Sequence, residues 1–391
     1  MSRLRYEDRW GTGVCSRVAT RLDLDPWAVR TLAVLATVLT AGLGALVYLA
    51  LWLAHPPTVV HAASPQPAPA SMTRELYGPV AGDLPLVDEM LHSIAKVEQP
   101  WLSRMLTSSL SGGGKRMRPA IALLAGTHGD YDLERLVPLA SSVELLHTAT
   151  LVHDDVIDAA PERRGKPTAA ALFNNASSVM LGDYMFAHAA EFVARTGNIR
   201  VIRNFAATLG IMANGELKQD MAAFEYSEDV QRYLDRIYGK TASLFATAAE
   251  NGAIVSGAPE STVEPMRRYG ESLGMAFQIV DDVLDFSGTA EEMGKPVGSD
   301  LLAGTLTLPT ILYMQASPED NPVRRAFEGV RRRSNLQRAI DEIRASSYLE
   351  ESMDSARHFA GLARTALHEL PPSETRDTLD GLIDYVLERR T

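Results

Sequence analysis

Two clusters of aspartate residues are the part of this sequence best suited to chemistry. One reads HDDVID from His153 to Asp158, and the other reads QIVDDVLDF from Gln278 to Phe286. Carboxylates four residues apart lie on one face of a helix, and burying them is costly unless a cation lies against them. Mg²⁺ binds through one or two carboxylates together with substrate phosphates. The pattern predicts two facing helix surfaces whose carboxylates hold a diphosphate through Mg²⁺. The predicted metal ligands are Asp154, Asp158, Asp281 and Asp285.

A single cluster of this kind could equally be a solvated acidic helix face. Here the motif occurs twice, inside apolar runs, with basic segments that contain glycine near each copy. The three glycines before Lys115 allow the backbone to approach a phosphate closely. The basic segments are SGGGKRMRP (Ser111 to Pro119), ERRGKPT (Glu162 to Thr168), GKT (Gly239 to Thr241) and GKPVGSDLLAGTLTLP (Gly294 to Pro309).

In this order, the motifs resemble the polyprenyl synthetase family, the trans-isoprenyl diphosphate synthases. The resemblance extends over about residues 74–390. It implies an all-α isoprenoid synthase bundle and a Mg²⁺-dependent transferase that condenses isopentenyl diphosphate head-to-tail with an allylic diphosphate. The product would be a trans-polyprenyl diphosphate, and we expect the enzyme to be a homodimer.

The resemblance also assigns roles to individual residues. The catalytic set around the metal is Asp154, Asp155, Asp158, Asp281, Asp282, Asp285 and Lys240. Arg163, Lys240 and Lys295 would reach the allylic diphosphate, whereas Lys115, Arg118, His147 and Arg164 would hold the diphosphate of isopentenyl diphosphate. Thr241 and Gln278 are expected as polar partners of the substrate. Thr305 departs from the family pattern, since many relatives carry a lysine there.

Product length depends on the residues one helical turn before the first cluster. Short-chain relatives tend to carry aromatic residues there, which close the tunnel for the growing chain. This sequence has the small residues Ala149 and Thr150 instead. We therefore expect a product of geranylgeranyl length or longer, with Met180, Tyr184 and Met185 forming the tunnel floor.

The elements that must position these residues are helical. Apolar residues recur at spacings of three and four through long segments such as LERLVPLASSVELLHTATLVHDDVID, and breakers such as SGAPE separate them. Strand-like alternation is scarce. We predict an all-α bundle over residues 74–391, whose central helices carry the two clusters.

A separate unit precedes the bundle. Residues 31–54 carry no charge and are long enough to cross a bilayer, although a buried soluble helix would also fit. Six arginines precede this run, so a single span would place the bundle outside the cell. A hairpin turning at Gly42 and Gly44 would instead keep both sides cytoplasmic.

Residues 1–55 also resemble a PspC domain, and residues 56–73 are a Pro- and Ala-rich linker. The sequence thus predicts a hydrophobic, membrane-associated helical segment ahead of the bundle. It places the enzyme at the cytoplasmic face of the cell membrane.

Composition sets further limits. The 391 residues are 46% hydrophobic, enough for a large core, and the net charge of -11 argues against a nucleic acid partner. The single cysteine, Cys15, cannot form an intrachain disulfide. Two other functions share this pattern: a terpene cyclase-like enzyme, and a catalytically weak regulatory subunit at the membrane.

Overall fold

The computed structural model describes residues 75–111, 115–163, 166–288, 296–317 and 320–389. The chain divides into two units, Met1–Ala63 and Ser64–Thr391, and every described residue belongs to the second. The predicted PspC-like segment, membrane segment and linker lie outside the described residues, as do Arg164 and Lys295. The predicted unit boundaries stay predictions.

The described residues are mostly helical, and a short 3₁₀ turn at Gly78–Val80 precedes the first long helix. The helices are α1 Leu84–Ser93, α2 Pro100–Leu110, α3 Met117–Gly126, α4 Leu133–Ile157, α5 Ala169–Leu172, α6 Asn175–Ala194, α7 Ile199–Met221, α8 Val230–Ile237, a π-helix Tyr238–Ala242, α9 Ser243–Val255, α10 Glu260–Ser287, α11 Ser299–Leu302, α12 Leu308–Ala316, α13 Pro322–Phe327, α14 Arg332–Arg344, α15 Tyr348–His368 and α16 Glu374–Glu388.

Side-chain caps explain where several of these helices begin. The Asp132 carboxylate accepts a hydrogen bond from the Glu134 N–H at 2.9 Å and so starts α4. The Asn174 side chain accepts from the Ser177 N–H at 2.8 Å at the start of α6. Such caps satisfy N–H groups that have no partner within the helix.

Helix α9 is the centre of the bundle, packed against α3, α4 and α10. Glycines permit the close crossings: a Cβ at Gly252 would lie 2.2 Å from the Ala122 carbonyl oxygen, and one at Gly270 would lie 2.4 Å from that of Phe245. Larger residues there would force the helices apart. This packing fixes α10, which carries the second aspartate cluster.

Helix α4, which carries the first cluster, packs against α6. His153, the first residue of the HDDVID motif, accounts for part of this contact. Its Nε2 lies 2.9 Å from the Val179 carbonyl oxygen, and a Cβ at Gly182 would lie 2.1 Å from it. His153 therefore anchors α4 to α6.

The hydrophobic core has two parts. The larger part includes residues of α1–α4, α6, α9 and α16, and the smaller part includes residues of α8 and α12–α15. Helix α10 contributes to both, through Leu273 in the larger and Ile279 in the smaller. Helix α15 also contributes to both, through Ala360 in the larger part and Ala356 in the smaller, so two long helices join the two halves of the bundle.

The mostly helical isoprenoid synthase fold is confirmed, with one local difference. Glu162–Arg163 and Lys166–Pro167 pair as antiparallel strands β1 and β2, with Arg163 opposite Lys166. This hairpin places the ERRGKPT segment beside the end of α4. Within the part of the chain that the structure describes, none of the helices is both long enough and apolar enough to span a membrane.

Candidate active site

Both aspartate clusters lie at the C-terminal ends of long helices. Asp154 and Asp155 are in the last turn of α4, and Asp158 is its C-cap. Asp281, Asp282 and Asp285 are in the last two turns of α10. The C-terminal end of a helix carries partial negative charge, so carboxylates there add charge of the same sign. Each cluster therefore needs a cation to be stable when ionised.

In the first cluster, burial decreases from Asp155 through Asp154 to Asp158, which is exposed. Burial raises the pKa of Asp154 to about 6, because removal from water disfavours the carboxylate, although the nearby Lys240 ammonium opposes the rise. The Arg163 Nε donates to Asp155 Oδ1 at 2.6 Å. Arg163, predicted at the allylic diphosphate, therefore contacts the cluster through Asp155.

In the second cluster, Asp282 is buried inside a hydrogen-bonded chain. The Tyr233 hydroxyl donates to Asp282 Oδ2 at 2.8 Å, and the Gln278 Nε2 donates to Oδ1 at 2.8 Å. Burial raises the pKa of Asp282 above its ordinary value. Asp282 thus helps to hold Gln278 in place.

Asp285 and Asp281 have different surroundings. Asp285 is buried and accepts from the Ser299 hydroxyl at 2.7 Å and from the Asp300 N–H at 3.2 Å. Because both carboxylate oxygens hold the start of α11, its role as a metal ligand stays a prediction. Asp281 is 49% exposed and lies 3.3 Å from Arg389 Nη2.

The π-helix between α8 and α9 lies between the two clusters. Lys240 Nζ lies 3.2 Å from Glu216 Oε2 and interacts electrostatically with Asp154. The next residue, Thr241, donates its hydroxyl to Gln278 Oε1 at 2.6 Å. Consecutive residues of one turn thus interact electrostatically with Asp154 of the first cluster and by a hydrogen bond with Gln278 of the second motif. The Gln219 Nε2 donates to Glu216 Oε1 at 3.0 Å.

The residues predicted to bind isopentenyl diphosphate fall into two groups. The Arg118 guanidinium stacks on the Phe245 ring at 4.4 Å, and Lys115 Nζ lies 5.0 Å from the centre of the Tyr385 ring. His147 lines a cavity of about 100 Å³ that Asp155 and Arg163 also line. The structure therefore places His147 beside the first cluster, Arg118 against Phe245 and Lys115 near Tyr385.

Several site residues were not predicted from the sequence. Glu216 pairs with Lys240 where α7 contacts the π-helix, at the point where Gly215 lies next to Gly239. Tyr233 and Arg389 come from helices that carry no motif.

The residues expected to set product length lie on α4. Ala149 is completely buried, whereas Thr150 is half-buried on the side of Asp154. Met185 is buried and Tyr184 half-buried, but Met180 is 70% exposed. Met180 therefore cannot belong to a closed tunnel floor within one chain, and the expectation for it is corrected.

The two longest described helices of this bundle end in carboxylates, and a lysine lies between them. This arrangement defines a class of enzyme that handles diphosphates. The comparisons agree. Residues 99–343 match the polyprenyl synthetase model, and residues 2–58 match the PspC domain model. The chain belongs to the polyprenyl synthetase family, and its assignment as a prenyltransferase is confirmed.

Known relatives extend over most of the chain. The heptaprenyl diphosphate synthase component 2 of Geobacillus stearothermophilus is 38% identical over 81% of this chain and 98% of its own. A decaprenyl diphosphate synthase from Rhodobacter capsulatus matches with a TM-score of 0.75 at 37% identity, covering 83% of this chain and 100% of its own. A polyprenyl synthase from Caulobacter crescentus, solved with calcium and isoprenyl diphosphate, matches with a TM-score of 0.75 at 32% identity, covering 83% and 99%.

Proposed function

We propose that this chain condenses isopentenyl diphosphate with an allylic diphosphate in the space between its two aspartate clusters. The observation that carries the proposal is the pair of carboxylate-bearing helix ends on either side of the π-helix. Lys240 and Arg163 would contact the allylic diphosphate, and Thr241 and Gln278 would orient it. Lys115, Arg118 and His147 would bind the second diphosphate.

The metal in this proposal is Mg²⁺. Among the described residues, no three side chains of His, Cys, Asp or Glu are gathered closely enough to hold an ion by themselves. That arrangement suits Mg²⁺, which uses few carboxylates and completes its coordination with phosphates and water. Asp154, Asp158 and Asp281 would hold it, because each is at least partly accessible. When bound, the ion neutralises the charge of the leaving pyrophosphate.

The protein residues then perform the remaining tasks. Lys240 stays beside Asp154 because Glu216 fixes its ammonium, so a positive charge lies where the allylic diphosphate would leave. The second diphosphate would bind against Lys115 and Arg118, close to the Phe245 ring. The proton lost after the new bond forms would pass to the departing pyrophosphate.

Removing one carboxylate from each cluster tests the assignment. Asp154→Ala and Asp281→Ala should each lower turnover about a hundredfold or more, as expected for loss of charge stabilisation in the transition state. Turnover is measured with radiolabelled isopentenyl diphosphate, an allylic primer and Mg²⁺. Asp235→Ala, an exposed position on α8, is the control and should be unchanged. Normal turnover in both cluster variants would refute the proposed site.

The product is expected to be long. Relatives include heptaprenyl, octaprenyl and solanesyl diphosphate synthases, which supports the expectation of geranylgeranyl length or longer. The small residues Ala149 and Thr150 support the same conclusion. Sizing the dephosphorylated products of the same assay determines the length.

We infer that the enzyme is a homodimer whose contact includes α7. The exposed positions of α7 between residues 206 and 217 are all uncharged: Ala206, Ala207, Gly210, Ile211, Ala213, Asn214 and Leu217. Leu217 is 65% exposed. An uncharged helix face with exposed aliphatic side chains is typical of a protein contact. One similar enzyme is named as a component 2, so a different second subunit is the alternative outcome.

We also propose that residues 31–54 hold the enzyme at the cytoplasmic face of the cell membrane. Support comes from the uncharged run itself and from the PspC match over residues 2–58. This location would place the site beside water-soluble substrates and release an apolar product near lipid.

A further inference from the structure

The arginine that caps α16 lies on the second aspartate cluster. Arg389 follows the last helical residue with an extended backbone, and its N–H donates to the Tyr385 carbonyl at 3.1 Å. Its Nη2 donates to the Phe277 carbonyl at 2.7 Å and lies 3.3 Å from Asp281 Oδ1. Its guanidinium lies 3.9 Å from the centre of the Phe277 ring.

This guanidinium is buried with few partners. The Arg389 side chain is 7% exposed, whereas that of Asp281 is 49% exposed. Its Nε is buried and has no hydrogen-bond partner among the described residues. Burial also lowers the pKa of Arg389, although Asp281 opposes this effect. The buried charge therefore depends on Asp281, since a buried cation without a partner is strongly disfavoured.

We propose that Arg389 is a built-in counter-cation, which occupies Asp281 in the metal-free enzyme and must be displaced when a divalent metal binds there. This inference rests on the metal role of Asp281 in the proposed function. It adds that metal loading has to break an existing ion pair and loosen the cap of α16.

The geometry makes the two cations competitors. The guanidinium lies against Oδ1 of Asp281, so a metal bound to the same oxygen would be within a few ångströms of it, where like charges repel. The exposed side of Asp281 leaves room for a metal to approach. Phe277 lies one helical turn before Asp281, so the ring and the carboxylate bind the guanidinium together.

Displacement of the Arg389 guanidinium would also loosen the backbone at the end of α16. At the Arg389 cap, the N–H bond to Tyr385 is the backbone contact, and the side chain supplies the others. Loss of Asp281 as a partner removes the only negative charge paired with the guanidinium in the described part of the chain. The amide hydrogen of Arg389 should then exchange faster.

The first test measures Mn²⁺ affinity in the full chain with inorganic pyrophosphate present, because pyrophosphate supplies the phosphate ligands that the proposed metal site needs. Mn²⁺ binding is followed by electron paramagnetic resonance of the free ion. Arg389→Met should bind Mn²⁺ about three- to tenfold more tightly, because the competing cation is absent. Phe277→Leu, which removes the ring contact but keeps the main-chain carbonyl, should shift affinity in the same direction by less. Arg364→Met, which breaks surface pairs with Asp380 and Asp384, is the matched control. Equal or weaker binding in folded Arg389→Met would overturn the proposal.

The second test measures the cap itself. Hydrogen exchange of the peptide covering residues 385–391 should rise when Mg²⁺ and inorganic pyrophosphate are added to the unaltered chain. In Arg389→Met, exchange should already be high and should not rise further. Unchanged or slower exchange in the unaltered chain would overturn the proposed loosening of the α16 cap.

An Asp281→Asn variant distinguishes failure of the proposed function from failure of the competition by Arg389. If it leaves Mn²⁺ binding unchanged, the metal role of Asp281 in the proposed function fails. If it weakens Mn²⁺ binding while Arg389→Met has no effect, only the competition by Arg389 fails.

Discussion

At the scale of single residues, the site pairs carboxylates that are costly to ionise with cations from other helices. Asp154 illustrates the cost, because burial raises its pKa to about 6 from an ordinary value of 3.8. Lys240 offsets part of that cost. A metal and a diphosphate would complete the balance, so the metal-free protein stores an unfavourable charge at its site.

This cost predicts a stability change with a definite sign. A carboxyl whose folded-state pKa is raised takes up protons on folding between about pH 4 and 6, so its ionisation destabilises the fold at neutral pH. Asp154→Asn should therefore raise the free energy of unfolding of the metal-free protein at pH 7.5. The rise in the pKa of Asp154 corresponds to about 3 kcal/mol. Solvent screening at this half-buried group reduces the expected effect to about 1 kcal/mol.

Denaturation at two pH values checks this prediction. The difference between Asp154→Asn and the unaltered chain should shrink at pH 4.5, where the folded carboxyl is already protonated. Asp235→Asn, at an exposed position, should show no difference at either pH. A lower stability of Asp154→Asn at pH 7.5 would contradict the proposed cost of ionisation.

The sequence predicted the site residues that belong to local motifs, and it missed those whose contacts join distant segments of the chain. Asp154 and Asp281 belong to motifs read from spacing alone, and the structure places both at helix ends beside the π-helix. Arg389 could not be predicted, because its contact with Asp281 joins residues 108 positions apart. Glu216 was not predicted either, because its ion pair with Lys240 joins α7 to the π-helix.

At the scale of helices, α4 combines the metal site with the predicted tunnel. Thr150→Phe should shorten the dominant product, because the ring would lie one turn below Asp154 in the path of the growing chain. Ala149→Phe should act similarly, but overpacking at this fully buried position should also cost about 1–3 kcal/mol of stability. Products are sized after dephosphorylation.

Thr150→Val is the control for this prediction, since it keeps the size of the side chain and removes only the hydroxyl, which donates to the His147 carbonyl at 2.8 Å. Its products should match those of the unaltered chain. An unchanged distribution in Thr150→Phe would place the tunnel on another face of α4.

Helix positions followed from apolar spacing, but the hairpin of β1 and β2 did not. The ERRGKPT segment is too short for a strand pattern to appear, and its pairing of Arg163 with Lys166 arises where the chain reverses after α4. The π-helix also gives no sequence signal, because it differs from an α-helix only in the register of its hydrogen bonds.

At the scale of the whole molecule, the homodimer should depend on the uncharged face of α7. Ala213→Arg would place a large charged side chain in that contact, whereas in a monomer it would point into water. Light scattering coupled to size-exclusion chromatography should show half the mass of the unaltered protein. Thr365→Arg, at an exposed position on α15, should leave the mass unchanged. A dimeric Ala213→Arg would exclude this face.

The N-terminal unit should determine where the enzyme is found. Removal of residues 1–63 should move the protein from the membrane fraction to the soluble fraction and leave prenyl transfer active, because the first described helices begin after residue 74. Fractionation followed by the turnover assay measures both. An inactive or still membrane-bound shortened protein would refute the separation of the two units.

The π-helix connects the two halves of the site. Lys240 and Thr241 are joined by a single peptide group, which is rigid and planar, and each side chain serves a different cluster. A shift of α7 that moved Glu216 would be transmitted through this one group to Gln278 and thus to α10. Binding events at the two clusters would accordingly be linked over the length of one peptide bond.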